Sequence, residues 1–296
     1  MKNAVKKKRI KWSLFSTVIF TVLILYCVMI FSPMLWGLLT SFKDEFTLMD
    51  NYFGLPDKWV FSNYIMFFTR LVVPVSSVEG VRNVYIENMA LYSVLYAGGR
   101  ALCQAFVPFL VAYIVSRFKF KFNIVINTVI VVCTSLPVVG TLPAQMQVTK
   151  FLGIYDTIWG MWIMGMSILS YYYLVFLAFF QSIPDTYVEA AKIDGAGNNR
   201  IMFTIVMPFA RNIFMTVLLL FIVQNWNDYL TPMMFVPSYP TLSYGILKFN
   251  TDNTNEFSNL PAKICGSIIM MVPILIVFFI FEKRFMGNIS AGGIKE

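Results

Sequence analysis

The sequence contains no histidine and few charged residues, and both absences exclude classes of function. Charged side chains make up 13% of the 296 residues and hydrophobic side chains 58%, whereas a soluble domain carries about 25% charged residues. The composition therefore predicts an integral membrane protein. Its apolar runs are continuous rather than alternating, which favours membrane-spanning helices over a β-barrel. The absence of histidine excludes catalytic machinery built on that residue.

Cysteine is also scarce, and no nucleotide-binding motif occurs. The four cysteines are scattered, one in each of four apolar segments, at Cys27, Cys103, Cys133 and Cys265. This spacing is typical of small buried thiols, and without histidine or clustered cysteine a zinc site is excluded. Neither the motif GxxxxGKS/T nor a dinucleotide fingerprint is present. We therefore expect no metal and no cofactor on this chain, so any nucleotide that drives it must be bound by another chain.

Six apolar segments are long enough for helices that cross the membrane, for which about 20 residues suffice. They cover residues 12–39, 84–116, 122–139, 158–180, 209–234 and 264–281. Basic residues cluster before the first segment, after the second and after the sixth, which predicts that these connections are cytoplasmic. We therefore predict an all-α, multi-pass protein of the cell membrane, surrounded by lipid, with both termini in the cytoplasm.

The predicted organisation is one transmembrane domain, residues 12–282, between a basic N-terminus, residues 1–11, and a C-terminal tail, residues 283–296. The sequence shows no internal repeat and no separate soluble domain, and its outer loops are too short to hold a catalytic core. An enzyme is therefore not predicted. The basic N-terminus could attract nucleic acid, but beside a span such a cluster sets the topology, so no nucleic-acid partner is expected.

A small polar insert, residues 184–208, follows the fourth apolar segment and is predicted to lie in the cytoplasm. It reads PDTYVEAAKIDGAGNNRIMFTIVMP. Pro184 is suited to stop the preceding helix. Thr186 and Glu189 have the spacing of a capping box, in which each side chain satisfies a backbone amide at the start of a helix. These residues predict that a new helix begins in the insert.

The predicted insert helix runs over Tyr187–Asp194, because Gly195 and Gly197 are suited to end a helix. Helical spacing places four residues on one of its faces, namely Tyr187, Ala190, Ala191 and Asp194. Two alanines on that face form a low patch that another surface can approach closely. From these residues alone, a plain cytoplasmic loop with an accidental cap remains an equal alternative.

The insert resembles the signature loop of the bacterial ATP-binding-cassette (ABC) importer permeases. That pattern is Glu-Ala-Ala, three residues, Gly, nine residues, Ile, one residue, Leu-Pro. This chain matches every spacing, with Met207 in place of the usual leucine, at Glu189, Ala190, Ala191, Gly195, Ile205 and Pro208. Further matches are similar to the carbohydrate-uptake, maltose-type branch of that family; they are SIPDTYVEAAKIDGAG, LGIYDT, AYIVSRFKF, WNDYL and FMGNISAGGIKE.

The resemblance implies a type I ABC importer permease fold and a set of partners. These partners are a second homologous permease, two cytoplasmic ATPase subunits that carry ATP and magnesium, and an extracytoplasmic sugar-binding protein. The insert would form a coupling helix that docks into the ATPase, with contacts from the six matched residues and Asp194. The implied cargo is an oligosaccharide or polysaccharide fragment. A C-terminal tail of this kind is implied to reach between the ATPase subunits.

Polar residues at membrane depth are candidates for a substrate path, because unpaired polar groups in hydrocarbon are costly. Those candidates are Asn225, Trp226, Asn227, Asp228, Gln104 and Tyr172. Amides and carboxylates suit sugar hydroxyls, and tryptophan suits the apolar face of a sugar ring. Hydrogen bonding between helices is the alternative. Arg100 shares a helix face with Gln104 and could instead reach the outer surface or a phospholipid.

Two other functions are consistent with parts of the sequence. The first is the same kind of ABC permease with another cargo, such as a polyamine, phosphate or a modified glycan. The second is a secondary transporter driven by an ion gradient, which predicts an inverted repeat and acids at mid-membrane. The sequence shows no such repeat and few central acids. Residues 70–87 make an outer segment that is longer than a minimal permease needs, and we interpret it as a contact for a binding protein.

Overall fold

The computed structural model describes residues 13–77, 80–118, 120–136, 140–251 and 259–289. The predicted basic N-terminus and the end of the predicted C-terminal tail lie outside these residues. The chain divides into two compact units, Met1–Phe67 with Glu256–Ile268 and Phe68–Asn255 with Ile269–Glu296.

Most of the described chain is helical. The helices are α1 (Leu14–Thr40), α2 (Glu45–Asp50), α3 (Ser62–Arg70), α4 (Ile86–Arg117), α5 (Asn123–Ser135), α6 (Thr141–Phe151), α7 (Ile158–Gly165), α8 (Tyr171–Ser182), α9 (Asp185–Ile193), α10 (Asn198–Arg200), α11 (Met207–Asn227), α12 (Leu230–Phe235), α13 (Leu242–Thr251) and α14 (Leu260–Ile289). A π-helical segment, Ile201–Val206, joins α10 to α11.

Among the described residues, four helical segments are long and apolar enough to cross a membrane. They are Leu14–Thr40, Ile86–Arg117, Asn198–Asn227 and Leu260–Phe281. They correspond to the first, second, fifth and sixth predicted spans. α1 is apolar all round, and its side chains are exposed from Leu14 to Leu35, as expected of a helix whose surroundings are lipid or another membrane helix.

The third and fourth predicted spans differ from the observed helices, so the count of six is not confirmed. α5 has 13 residues and is about 20 Å long at 1.5 Å per residue, short of the ~30 Å hydrocarbon core. The predicted span 158–180 is two helices, α7 and α8, because the chain leaves the helix between them. Ser167 and Ser170 accept hydrogen bonds from the amides of Leu169 and Tyr172 there, and such local bonds compete with a continuous helix.

The outer segment 70–87 contains the sheet of the described structure, so the all-α prediction was incomplete. Strands β1 (Val72–Ser77) and β2 (Gly80–Tyr85) form an antiparallel hairpin with Val72 opposite Tyr85. Arg82 on β2 donates to the carbonyl of Ser238 over 3.0 Å. The amide and hydroxyl of Ser238 donate to Asp156 over 2.9 and 2.6 Å. These hydrogen bonds connect the hairpin to the loop at Ser238 and, through it, to the loop at Asp156, both in the same unit.

The core of the second unit lies where α4 packs against α8 and α11. α4 presents small buried residues at helical spacing, including Ala101, Ala105 and Ala112, and small residues let membrane helices approach closely. Phe109 of α4 packs against both neighbouring helices. Its ring lies 5.2 Å from that of Phe176 and 5.1 Å from that of Phe180 on α8, and 5.1 Å from that of Phe214 on α11. α4 is therefore the helix on which α8 and α11 are both positioned.

Candidate functional site

The insert forms a helix as predicted, but its start differs from the prediction. α9 begins at Asp185, directly after Pro184, and no side chain caps it. Thr186 lies inside the first turn, so the capping box of Thr186 and Glu189 is not formed. The fixed φ of proline, −57° here, is compatible with entry into a helix, and this moves the start two residues ahead of Tyr187.

The end of α9 is a Schellman motif, in which amides beyond the helix bond back to its last carbonyls. The amide of Ala196 donates to the Ala191 carbonyl over 2.9 Å, and the amide of Gly195 donates to the Lys192 carbonyl over 3.0 Å. Gly195 has a φ of +76°, which only glycine adopts readily. Gly197 was also predicted to end the helix, but its φ is −70° and it precedes α10 instead.

A groove of about 650 Å³ lies between α9 and the start of α11. α9 provides Thr186, Tyr187, Ala190, Ala191 and Asp194, and the following segments provide Thr204, Ile205, Pro208 and Phe209. The predicted face of α9 therefore lines a concave surface. The rings of Tyr187 and Phe209 lie 5.5 Å apart in its wall. Ala190 is exposed, whereas Ala191 is buried in the core.

The second wall of the groove is an irregular stretch of helix. Ile201–Val206 is π-helical, and Pro208 follows at the start of α11. Proline has no amide hydrogen, so the carbonyl of Thr204 loses its usual donor four residues later. A π-helical turn accommodates this disruption, and such turns are frequent at functional sites. Five of the seven predicted coupling residues, Ala190, Ala191, Asp194, Ile205 and Pro208, line the groove, while Glu189 and Gly195 are exposed beside it.

The polar residues predicted for a substrate path fall into two groups. Gln104 and Asn225 bond to each other across α4 and α11, with 2.7 Å between the Asn225 amide nitrogen and the Gln104 oxygen. Asp228 pairs with Arg100 over 3.2 Å and accepts from the Tyr96 hydroxyl over 2.9 Å. These five residues form a polar cluster that joins α4 to the C-terminal end of α11.

The remaining path candidates make contacts outside the polar cluster. The Trp226 indole donates to the Met270 carbonyl over 3.1 Å, toward α14. The Asn227 amide donates to the Val223 carbonyl of its own helix over 2.9 Å. The Tyr172 ring packs edge-on against that of Phe221, with centroids 4.9 Å apart.

Sequence reasoning missed Tyr96 and the partner of Arg100. The signal was present, because Tyr96, Arg100 and Gln104 recur every four residues and so lie on one helix face. What the spacing could not show was the second helix that meets this face.

The described residues thus combine a helix at a polar insert, a groove beside it and long apolar helices. Residues 105–289, more than half of the chain, match the family described as binding-protein-dependent transport system inner membrane component. The chain belongs to this family. It is therefore a multi-pass permease subunit of the inner membrane, and permease subunits are not enzymes in themselves.

Two relatives of the chain are permeases whose names include a cargo. It is 28% identical to the diacetylchitobiose uptake system permease protein NgcG of Streptomyces coelicolor, over 94% of this chain and 88% of that protein. It is 26% identical to the galactooligosaccharides transport system permease protein GanQ of Bacillus subtilis, over 90% of this chain and 91% of that protein.

A solved structure has the same fold. It is the crystal structure of a bacterial ABC transporter involved in the import of the acidic polysaccharide alginate, with a TM-score of 0.75. The match covers 93% of this chain and 99% of that chain at 22% identity. This likeness establishes a fold shared with an ABC importer chain for nearly the whole length of the protein.

Proposed function

We propose that this permease subunit carries oligosaccharides or polysaccharide fragments into the cell, driven by ATP that partner subunits hydrolyse. The family supports uptake through a binding protein. Two relatives are permeases for diacetylchitobiose and galactooligosaccharides, and the structural neighbour imports alginate. The partners in this proposal are a second homologous permease, two ATPase subunits that bind ATP and magnesium, and an extracytoplasmic sugar-binding protein. Both termini of the chain lie in the cytoplasm.

The groove beside α9 is the observation that carries the coupling part of the proposal. It is open, it is floored by alanines, and it is bounded by the aromatic pair Tyr187 and Phe209. A helix of nine residues is marginal by itself, but α9 is held by the buried Ala191 on one side and the Schellman motif at its end. We infer that an ATPase surface docks against α9. The predicted contact residues are Glu189, Ala190, Ala191, Asp194, Gly195, Ile205 and Pro208.

The polar cluster is the proposed location for any sugar contact on this subunit. Its amides and carboxylate are the chemistry that sugar hydroxyls require. In the described structure, however, Gln104 and Asn225 already bond to each other, and Asp228 already accepts from Arg100 and Tyr96. A sugar would therefore have to replace these bonds. The partner permease is the alternative holder of the cargo.

The test of the proposed function is uptake by the reconstituted complex. The chain is expressed with its second permease and ATPase, placed in vesicles with the binding protein, and supplied with ATP but no ion gradient. We expect uptake of oligosaccharide that needs ATP, and we expect Gly195→Asp to abolish it while membrane insertion is retained. Normal uptake by that variant would refute the coupling role of α9.

The same uptake assay also tests the two alternative functions, a secondary transporter and an ABC permease for another cargo. Uptake that requires an ion gradient and not ATP would indicate the secondary transporter, which the family match does not support. A cargo such as a polyamine or phosphate remains an outcome of the same assay. Binding of candidate solutes to the purified binding protein distinguishes those cargoes from sugars.

A further inference from the structure

Arg117 connects three elements at the end of α4. Its side chain is only 8% exposed. One terminal nitrogen, Nη2, donates to the carbonyls of Phe180 and Ile183 over 2.8 and 2.9 Å. The other, Nη1, lies 2.6 Å from the Asp185 carboxylate. The guanidinium thus bridges α4, the end of α8 and the first residue of α9.

The position of Pro184 explains why the Phe180 carbonyl needs a side-chain donor. In a continuing helix the Phe180 carbonyl would accept from the amide four residues later, and that residue is Pro184, which has no amide hydrogen. The only described backbone bond to this carbonyl is a long one, 3.4 Å from the Ile183 amide. Arg117 supplies the missing donor, and its planar guanidinium can serve two carbonyls and a carboxylate at once.

The same guanidinium also contacts the first residue of α9. Asp185 is the first residue of α9 and lies in its first turn, where a carboxylate is favoured by the helix dipole. Its side chain is 82% exposed, and exposed ion pairs contribute little. The buried bonds from Arg117 to the two carbonyls are therefore the stronger part of the connection.

We propose that Arg117 is a positioning residue that fastens the junction of α8 and α9 to α4, so that displacement of α9 is passed to α4. This inference rests on the proposed docking of an ATPase at α9. Arg100 lies about 25 Å from Arg117 along α4, at 1.5 Å per residue, and takes part in the polar cluster with α11. α4 therefore connects the insert helix at its C-terminal end to the polar cluster near its middle.

A purely structural role for Arg117, as a cap for α8, makes a different prediction from a fastening role. A cap is needed for stability and assembly, and any donor to the Phe180 carbonyl can replace it. In a fastening role, Arg117 must also connect the junction of α8 and α9 to α4. Only a side chain from α4 can make that connection. The two roles are separated by restoring the cap without the connection.

The experiment compares Arg117→Ala, Asp185→Asn and the double variant Arg117→Ala with Pro184→Ala in reconstituted vesicles. Pro184→Ala returns an amide hydrogen at the position that the Phe180 carbonyl requires. Thermal stability, ATP hydrolysis and uptake per ATP are measured for each assembled complex. Arg117→Lys is added as the conservative variant, because lysine keeps the charge but cannot serve all three acceptors.

For Arg117→Ala we expect uptake per ATP to fall about tenfold or more, the scale of losing hydrogen bonds to a charged group. Asp185→Asn should change it by less than about twofold, because the carboxylate is exposed. Uptake per ATP for Arg117→Lys should lie between the values for Arg117→Ala and Asp185→Asn. The double variant should regain thermal stability but not uptake per ATP. The fastening role would be overturned if the double variant regained both thermal stability and uptake per ATP. Unchanged uptake per ATP in Arg117→Ala would also overturn it.

Failure of this inference is distinguishable from failure of the proposed function. A cysteine at position 189, Glu189→Cys, is cross-linked to the partner ATPase in the unaltered and Arg117→Ala backgrounds. Cross-linking in both, with lower uptake per ATP in Arg117→Ala, supports the fastening role. Cross-linking in both backgrounds, with unchanged uptake per ATP in Arg117→Ala, refutes the fastening role of Arg117 but leaves the docking at α9 supported. No cross-link in either background refutes the docking at α9, and the inference falls with it.

Discussion

Arg100 and Asp228 are 128 positions apart in the sequence and form an ion pair of 3.2 Å between α4 and the end of α11. Both side chains are about four-fifths buried, with exposed fractions of 18% and 22%. Charges within a membrane domain are rare unless they are paired or functional. Here the pair, with Tyr96 and the backbone amide of Thr231, also fixes how α11 ends and the chain turns toward α12.

Asp228→Ala is predicted to destabilise the protein. It removes the carboxylate that accepts from both Arg100 and the Tyr96 hydroxyl, and hydrogen bonds to charged groups are worth about 1.5–3 kcal/mol. The measurement is the melting temperature of the purified permease complex in detergent. Asn227→Ala is the control, because the Asn227 amide bonds only to its own helix in the described structure and should change stability by less than about 0.5 kcal/mol. Equal melting temperatures for both variants would contradict the role of the ion pair.

Gly195→Ala is predicted to impair transport, and Gly197→Ala is not. Neither position has an atom within 4 Å of an added Cβ, so sterics with neighbours do not separate them. The difference is conformational, because φ is +76° at Gly195 and −70° at Gly197, and a left-handed residue other than glycine costs about 1–2 kcal/mol. The measurements are uptake by the complex and the rate of limited proteolysis of the insert. Equal uptake and equal proteolysis in the two variants would show that transport does not require the Schellman motif at the end of α9.

The two alanines of α9 are predicted to respond differently to enlargement. Ala191→Leu adds volume to a packed core, which typically costs about 1–3 kcal/mol, and should lower the thermal stability of the permease itself. Ala190→Leu fills the exposed groove and should leave stability unchanged while it weakens binding of the ATPase. Co-purification of the ATPase and melting of the permease complex are measured for both. A stable Ala190→Leu variant that binds the ATPase normally would refute the docking surface.

Gln104→Leu tests the substrate path. In the described structure Gln104 contacts Asn225 across the two helices, and bonds of this kind between membrane helices are worth about 0.6 kcal/mol on average, so stability should fall only slightly. If the cluster contacts sugar, the KM for uptake should rise while ATP hydrolysis is retained. An unchanged KM together with the small loss of stability would assign the pair to helix packing alone and place the cargo on the partner permease.

The insert helix could be predicted from the sequence because its signals are local. Proline before the helix, the paired alanines and the glycine that ends it act within a few residues of one another, and the helix lies within two residues of its expected bounds. The error at its start came from two competing local signals, since Pro184 and the Thr186 capping box both suit a helix start and proline prevailed.

The rest of the site depended on contacts that a periodic pattern does not contain. The break between α7 and α8 lies in an apolar stretch, so hydropathy could not reveal it. A Cβ at Gly165, the last residue of α7, would lie 3.1 Å from Arg100, so the end of this helix packs closely on α4. Asp228 is 128 positions from Arg100, and Phe180 is 63 positions from Arg117, so only the folded chain brings these partners together.

The π-helical segment Ile201–Val206 means that the long run from Asn198 to Asn227 is not one uniformly stiff rod. Wide turns and proline are the places where helices bend, and here the two occur within three residues of each other. The portion from Met207 onward keeps regular α-helical geometry, so a bend in this run is expected before it and not within it. The direction of the groove wall is therefore set at this junction, separately from the tilt of α11 in the bilayer.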